Sequence, residues 1–344
     1  MNMAWKEIRK SRIKFIILGS IIFLVSLLTF IISGLANGLS RDNAALIKDL
    51  PDGHFYMNNQ ANETYNLSKI DPAVQKRVLQ EHQDAAALSI QMGFVNDAED
   101  KQHGVAFVTS TESKWFANVK PGEIVLDRSL EKDGIHVGDV LTNNQFSGTF
   151  KVIGFADHKK YSHSPVAYIH MDNYKEMYRV NTMQLLFIPG QDEPQSIDGL
   201  QSFSNHQFLN TIASYNAEQM SLNMIIWFLV AISGMLFAIF FYMMNVQKIG
   251  LYGILKAIGV KTRTLFRMMW AQMFFITAIA LVLSIALSQG FNLIAPEGMP
   301  FSLTMGTTLQ LSILFFIIGF IGATLSGLQI RKVEPLQAIQ QGDI

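Results

Sequence analysis

Apolar positions are unevenly spread along this chain. No Asp, Glu, Lys or Arg occurs in the 26 residues between Lys14 and Arg41, the 29 between Glu218 and Lys248, the 29 between Arg267 and Glu297, or the 33 between Glu297 and Arg331. A helix crossing the hydrocarbon core of a bilayer takes roughly 20 apolar residues. The pattern therefore predicts four membrane-spanning helices, near 15–37, 222–246, 269–291 and 307–329. The first, "FIILGSIIFLVSLLTFIISGLA", exceeds the roughly 7–15 residues of a secretory apolar core. No small-x-small cleavage site follows it cleanly, so it is read as a retained helix.

Between the first two spans the pattern changes to shorter runs. "DPAVQKRVLQEH" (71–82) has an Asp-Pro start and helical character. "GVAFVTST" (104–111), "GEIVLDRSL" (122–130) and "GTFKVIGFA" (148–156) carry β-branched and aromatic residues bounded by Gly. "GIHVGDVLT" (134–142) reads as a strand entering a tight turn, and "SPVAYIHMDNYKEMYRV" (164–180) as a strand followed by a helix. Residues 38–221 are thus expected to form a mixed α/β domain. All eight histidines lie there, singly spaced, without an H-E-x-x-H or comparable metal pattern. His158 and His163 flank the polar "KKYS" and read as surface or partly buried polar groups. No catalytic or metal-binding constellation is found.

Charge adds an orientation. The 344 residues carry 27 basic and 27 acidic side chains, and the zero sum conceals a split. The N-terminal segment, the 248–267 loop and the C-terminal tail together hold 12 Lys and Arg against 3 Asp and Glu; the rest holds 15 against 24. Lys and Arg accumulate on the cytoplasmic side of membrane proteins. Both termini and the 247–267 loop are therefore expected inside, and 38–221 outside. The chain has no Cys, so the outer domain has no disulfide framework.

The spans contain no Asp, Glu, Lys, Arg or His. Ion-coupled carriers place such groups inside the membrane, and channels show a polar stripe along the pore. Neither pattern is present, so energy must come from elsewhere. Small residues mark close helix contacts: Gly34 and Gly38 on the first span, and Gly319, Gly322, Ala323 and Ser326 on the fourth. They suit packing within the chain or a dimer face.

The stretch "GILKAIGVKT" (253–262) superficially resembles a phosphate-binding loop. That motif needs Gly, four residues, then Gly-Lys-Ser/Thr after a buried strand. Here five residues separate Gly253 from Gly259, Val260 precedes Lys261, and the segment follows a membrane helix. Instead Leu251, Ile254, Leu255 and Ile258 recur at helical spacing, with Lys248, Lys256, Lys261, Arg263 and Arg267 alongside. A short basic amphipathic helix over 248–265 would lie on the membrane surface or dock to a cytoplasmic partner. The basic residues alone also fit the positive-inside bias.

"QKIGLYGILKAIGVKTRTLF" (247–266) resembles the cytoplasmic loop of FtsX/MacB-like ABC permeases, and "LQIRKVEPLQAI" resembles that family's closing signature through Lys332, Pro335, Ala338 and Ile339. Lys248 stands where many members carry Glu. The topology is similar as well: one helix, an outer domain, then three helices. The resemblance implies a type VII ABC permease-like fold in the plasma membrane of a bacterium, with domains at 1–37, 38–221, 222–246, 247–267, 268–330 and 331–344. It implies a non-enzymatic half-transporter acting as a homodimer with a separate cytoplasmic ABC ATPase. That ATPase would be contacted through Gly250, Gly253, Lys256, Ala257 and Gly259. No intrinsic cofactor and no nucleic acid are implied.

Within the family, the chain is most similar to permeases that export haem from Gram-positive bacteria, through "ISGLANGLSRDN" (32–43), "IASYNAEQMSLNMII" (212–226), "FFYMMNVQKIG" (240–250) and "LKAIGVKTR" (255–263). The resemblance implies haem as the transported ligand. Relatives of the same layout move lipids, peptides or antibiotics, and others relay ATPase motion to a cell-wall enzyme. Haem, an apolar disc with two carboxylates, needs an apolar slot with a polar anchor. The candidates are Glu218, the last charge before the second span, with Tyr215, Met220, Met224, Phe30 and, deeper, Tyr242. Glu218 also reads as a helix-end acid facing water, Met220 and Met224 as adaptable packing, and Tyr242 as a helix–helix hydrogen-bonding group or an interfacial anchor.

Overall fold

The computed structural model describes residue 9 and residues 11–190, 193–296 and 299–332. The Pro335, Ala338 and Ile339 signature, Glu297 and most of the basic N-terminus lie outside the described residues. The helices are α1 (Arg12–Lys48), α2 (Pro72–Glu81), α3 (Ser129–Lys132), α4 (Met171–Tyr178), α5 (Asn205–Thr211), α6 (Ala213–Val246), α7 (Ile249–Ala257), α8 (Thr262–Ile294) and α9 (Met305–Lys332). The strands are β1 (Gly53–Asn58), β2 (Ala86–Asn96), β3 (Gln102–Ser110), β4 (Glu123–Asp127), β5 (Val140–Asn143), β6 (Phe146–Ala156), β7 (Lys160–Tyr161), β8 (Ser164–Ile169), β9 (Leu185–Pro189) and β10 (Leu200–Ser204). Two compact units result: Met1–Gly38 with Ser221–Ile344, and Leu39–Met220.

The first unit is helical. α1, α6, α8 and α9 are the four described helices long and apolar enough to cross a membrane. Each extends beyond the sequence expectation, because backbone helicity continues past the uncharged stretch. Large apolar side chains such as Trp227, Phe228, Met235 and Ile321 lie exposed on their outer faces. Lipid tails are as apolar as these side chains, so little drives them inward, and close packing with hydrogen bonds holds the helices together. Ser26 and Ser284 hydroxyls meet at 2.6 Å, and Ser284 Oγ also donates to the Phe23 carbonyl at 2.9 Å. Trp270 Nε1 donates to Thr324 Oγ1 at 3.0 Å.

The small-residue positions are consumed within the chain. A Cβ at Gly38 would overlap the Pro300 carbonyl, and one at Gly34 would overlap the Phe301 ring. The Ser302 amide donates to the Gly34 carbonyl at 2.9 Å. Gly319 and Gly322 pack against Met273, Phe237 and Ala238. Of the two readings of these glycines, the structure selects packing within the chain.

The second unit is a ten-stranded mixed sheet in the order β10-β1-β9-β2-β3-β8-β4-β6-β5, with β7 on β8. β3–β8 and β4–β6 are parallel and the other pairs antiparallel. A bridge from Asn96 to Thr142 returns β5 to β2, so six strands close on themselves around Phe107, Leu126, Leu141, Phe150 and Val152. α2 starts at the Asp71 cap, whose side chain accepts from the Ala73 amide, with Pro72 in the first turn.

Several expected boundaries move. The strand expected over 134–142 is confined to β5; Gly134 and Gly138, at φ +100° and +101°, make the turns before it. The 122–130 strand ends at Asp127 and gives way to α3. The single helix expected over 248–265 is two elements: α7 stops at Ala257, and α8 begins at Thr262. Residues 262–267 therefore belong to a membrane-length helix rather than to the loop.

Candidate functional site

Three segments of the second unit converge on Glu218. The first is the end of α1. It is broken at Ala44 (φ −145°, ψ 21°), where helical geometry lapses for one residue. A break of this kind frees carbonyls from the helical ladder, and they need other donors. They are supplied by the turn between β7 and β8. The Ser162 amide donates to the Asn43 carbonyl at 2.7 Å, and the His163 amide to the Asp42 carbonyl at 3.2 Å. Lys160 Nζ adds an ion pair to Asp42 at 2.9 Å.

That turn is strained. Ser162 and His163 are its two central residues, at φ +50° and +64°. Positive φ at both positions is the hairpin turn that favours Asn-Gly. A Ser-His pair has Cβ atoms on both residues, at a cost of about 1–2 kcal/mol each. The docking of its amides on α1 holds the conformation in place.

The third segment is the start of α6, which follows α5 after a break at Ile212; α5 itself opens with a Ser204–Gln207 capping box. Here the Glu218 carboxylate accepts from Asn43 Nδ2 at 3.2 Å and lies 3.4 Å from His163 Nε2. Asn43 is fully buried; its Oδ1 accepts from Ser214 Oγ at 3.2 Å, and its Nδ2 lies 3.1 Å from His163 Nε2. A neutral Nε2 accepts from the Asn43 amide, whereas a protonated one donates to Glu218. The cluster thus offers a carboxylate and a half-exposed imidazole held by a rigid amide.

The other predicted residues are placed differently. Tyr215 is buried in the apolar core with Phe55, Phe208 and Ile212. Its hydroxyl accepts from Ser40 Oγ at 3.2 Å, and Lys48 Nζ sits 5.2 Å from the ring centroid. Met220, also in this unit, is 67% exposed. The remaining three belong to the helical unit. Met224 and Tyr242 lie exposed on α6, and Phe30 is fully buried edge-on against Phe315. Sequence reasoning does not single out Asn43 or Ser214; it reads His163 as a surface or partly buried polar group, which its half-exposed position fits. The local signal for the turn is a two-residue gap between short β-runs in "KKYSHSPV", and Ser-His is not the residue pair that marks such turns.

The 247–261 segment forms a separate site in the helical unit. Tyr252 and Gly253 face inward on α7, while Leu251, Ile254 and Ile258 lie exposed. Of the predicted apolar face, only Leu255 packs against the membrane core. Tyr252 Oη donates to Asn245 Oδ1 at 3.2 Å, and Asn245 Nδ2 donates to Ser326 Oγ at 3.2 Å, so α7 is anchored to α6 and α9. Lys256 Nζ reaches the Arg331 carbonyl at 3.4 Å. Gly259 closes the helix at φ +92°. Its amide donates to the Lys256 carbonyl at 3.0 Å, and the Val260 amide to the Leu255 carbonyl at 2.9 Å. This is the Schellman pattern, completed by the apolar pair Leu255 and Val260. The glycine that suggested a phosphate loop is a helix terminator. A Cβ at Gly250 would meet nothing within 4 Å, so the α7 surface is open there.

Residues 223–335 match the model of the FtsX-like permease C-terminal family. The chain is 30% identical over 347 residues to a protein of Staphylococcus haemolyticus described as a putative hemin transport system permease protein HrtB, covering 98% of this chain and 99% of that one. It is 28% identical over 362 residues to the protein of the same description from Staphylococcus epidermidis, covering 99% of this chain and all of that one. Among solved structures, the periplasmic region of MacB from Actinobacillus actinomycetemcomitans aligns with 47% of this chain and 92% of its own, at 11% identity and a TM-score of 0.36, too distant to add weight. End-to-end similarity of this kind, with four membrane-length helices and an α/β domain between the first two, places the chain in the FtsX/MacB-like family of ABC transporter permeases.

Proposed function

We propose that this chain is the permease of an ABC-type efflux system that exports haem, working as a homodimer with a separate cytoplasmic ATPase. The observation that carries this reading is the full-length similarity to proteins described as hemin transport permeases. The charge split supports cytoplasmic termini and an outer position for the α/β domain in the plasma membrane of a bacterium. The exposed apolar stripe Leu251, Ile254 and Ile258 on α7 is a surface suited to docking an ATPase. ATP hydrolysis below would then move α7 and the helices anchored to it.

For the ligand, Glu218 is the polar anchor. The exposed thioethers of Met220 and Met224 offer soft, adaptable contacts. Tyr215 supports the α6 start from the core rather than lining a slot, and Phe30, fully buried against Phe315, packs the helical unit instead of facing a ligand. The test is growth on toxic haemin with spectral titration of the purified chain. Deletion should abolish tolerance, and E218Q and M224A should weaken both tolerance and haemin binding. Undiminished tolerance on deletion would remove the reading. Capture of a cell-wall hydrolase without any haemin effect would favour a signalling role instead.

A further inference from the structure

A groove of about 730 Å³ runs between α1 and α8 in the helical unit. Its walls are Phe15, Ile16 and Phe23 on one side and Ile279, Leu283 and Leu287 on the other, with Gly19, Ser20 and Ala280 between them. At one end stand Arg9 and Arg12. Arg12 Nε donates to the Arg9 carbonyl at 3.1 Å, and neither guanidinium has a carboxylate partner among the described residues. We propose that this groove binds an anionic phospholipid, with its phosphate on Arg9 and Arg12 and an acyl chain along the apolar walls.

Three observations select this occupant. The first is charge. Two cations without a described carboxylate partner, at the mouth of an apolar groove between membrane helices, match a lipid phosphate, and basic pockets of this kind recognise acidic headgroups. The second is depth. From Arg12 to Phe23 the helix rises roughly 16 Å at 1.5 Å per residue. That is about half of a hydrocarbon core of roughly 30 Å, so the groove is one leaflet deep. The third weighs against a second copy of the chain. A symmetric dimer places the same surface on both sides of its seam, so four arginines would meet at one depth without an acidic partner from the described residues. The leaflet is the one on the side of the chain's N-terminus, which the charge split makes cytoplasmic. The proposal does not depend on haem as cargo.

The experiment uses the purified full-length chain in nanodiscs of phosphatidylcholine and phosphatidylglycerol at equal mole fraction, followed by gentle detergent extraction and native mass spectrometry. The wild type should retain phosphatidylglycerol preferentially. R9Q/R12Q, which removes two cations near an acidic surface, should lower that preference roughly 30-fold. A280F, which fills the groove floor, should reduce retention of both lipids. Circular dichroism checks that each variant keeps its helices, and R9K/R12K should keep the preference if charge is what matters. Equal retention of both lipids by wild type, or an unchanged preference in R9Q/R12Q, overturns the proposal. So does an A280F protein that changes oligomeric state while keeping its lipid, because the groove is then a protein interface.

Discussion

The Glu218 carboxylate lies 3.4 Å from the His163 imidazole, joining the start of a membrane-length helix to a hairpin turn whose two central residues both have positive φ. The contact depends on that turn keeping its unfavourable backbone, so strain and site are linked.

Glycine at 163 separates the two. H163G removes the imidazole and relieves the left-handed residue, whereas H163A removes the imidazole and keeps the strain. H163G should be more stable than H163A by about 1 kcal/mol. Thermal unfolding of the full-length protein in detergent reads this difference. Equal melting temperatures for the pair would show that the turn carries no strain.

At α7, two glycines should behave in opposite ways. Gly259 sits at φ +92°, and a Cβ there would meet nothing within 4 Å, so the effect of G259A is purely conformational, about 1 kcal/mol of destabilisation. Gly250 also has open space around it, without a positive φ. G250A should therefore stabilise α7 by up to about 1 kcal/mol. If G250A keeps or raises the melting temperature yet lowers haemin tolerance, a partner approaches the backbone at that position. Unchanged tolerance in G250A removes Gly250 from the docking surface.

Gly38 and Gly34 differ in what they touch. The neighbour of Gly38 is the Pro300 carbonyl, which is backbone, whereas that of Gly34 is the Phe301 ring, which can turn. G38A should destabilise by about 1–3 kcal/mol and G34A by less. Chemical denaturation monitored by tryptophan fluorescence compares them. A G34A protein less stable than G38A would contradict the assignment.

The β2–β3 turn should be acid-sensitive. The Asp97 carboxylate accepts from His103 Nε2 at 2.9 Å and from the Lys101 and Glu99 amides at 3.0 and 2.9 Å. The His103 hydrogen bond above all, with the amides, holds its pKa below the usual range for Asp. A carboxyl depressed in the folded state contributes stability that is complete above its unfolded pKa and is lost as pH falls through the folded value. D97N should thus lower the melting temperature at neutral pH and flatten its fall below about pH 4. Parallel pH–melting curves for the two proteins would refute the role of this carboxylate.

The membrane helices were legible because an uncharged run of 26 or more residues has one outcome in lipid. The α2 start was legible because Asp71-Pro72 is a local cap. The sequence does not mark β1, β2, β7, β9 or β10; a buried central strand such as "LLFIP" lacks the alternation that identifies a half-buried one, and β7 is only two residues long. Glu218 is singled out by the sequence as the last charge before an apolar run. Its contacts Asn43 and His163 are not, because they come together only through pairing of β7 with β8, marked locally by no more than a two-residue gap, and through the break at Ala44, which leaves no local mark. At α7 the sequence reads an amphipathic helix with an apolar face for a membrane surface or a partner, and the structure leaves most of that face exposed. Leu251, Ile254 and Ile258 are apolar yet exposed, because the inward positions are taken by Tyr252, Gly253 and Leu255.

The Gly259 cap has a mechanical consequence. Only Ile258 to Lys261 separate the end of α7 from the start of α8, and Leu255 and Val260 on either side of the glycine both grip the membrane core. The joint has no slack. A displacement imposed on the exposed face of α7 cannot be taken up by a floppy tether and must pass into the third membrane-length helix as a lever passes force through a stiff pivot.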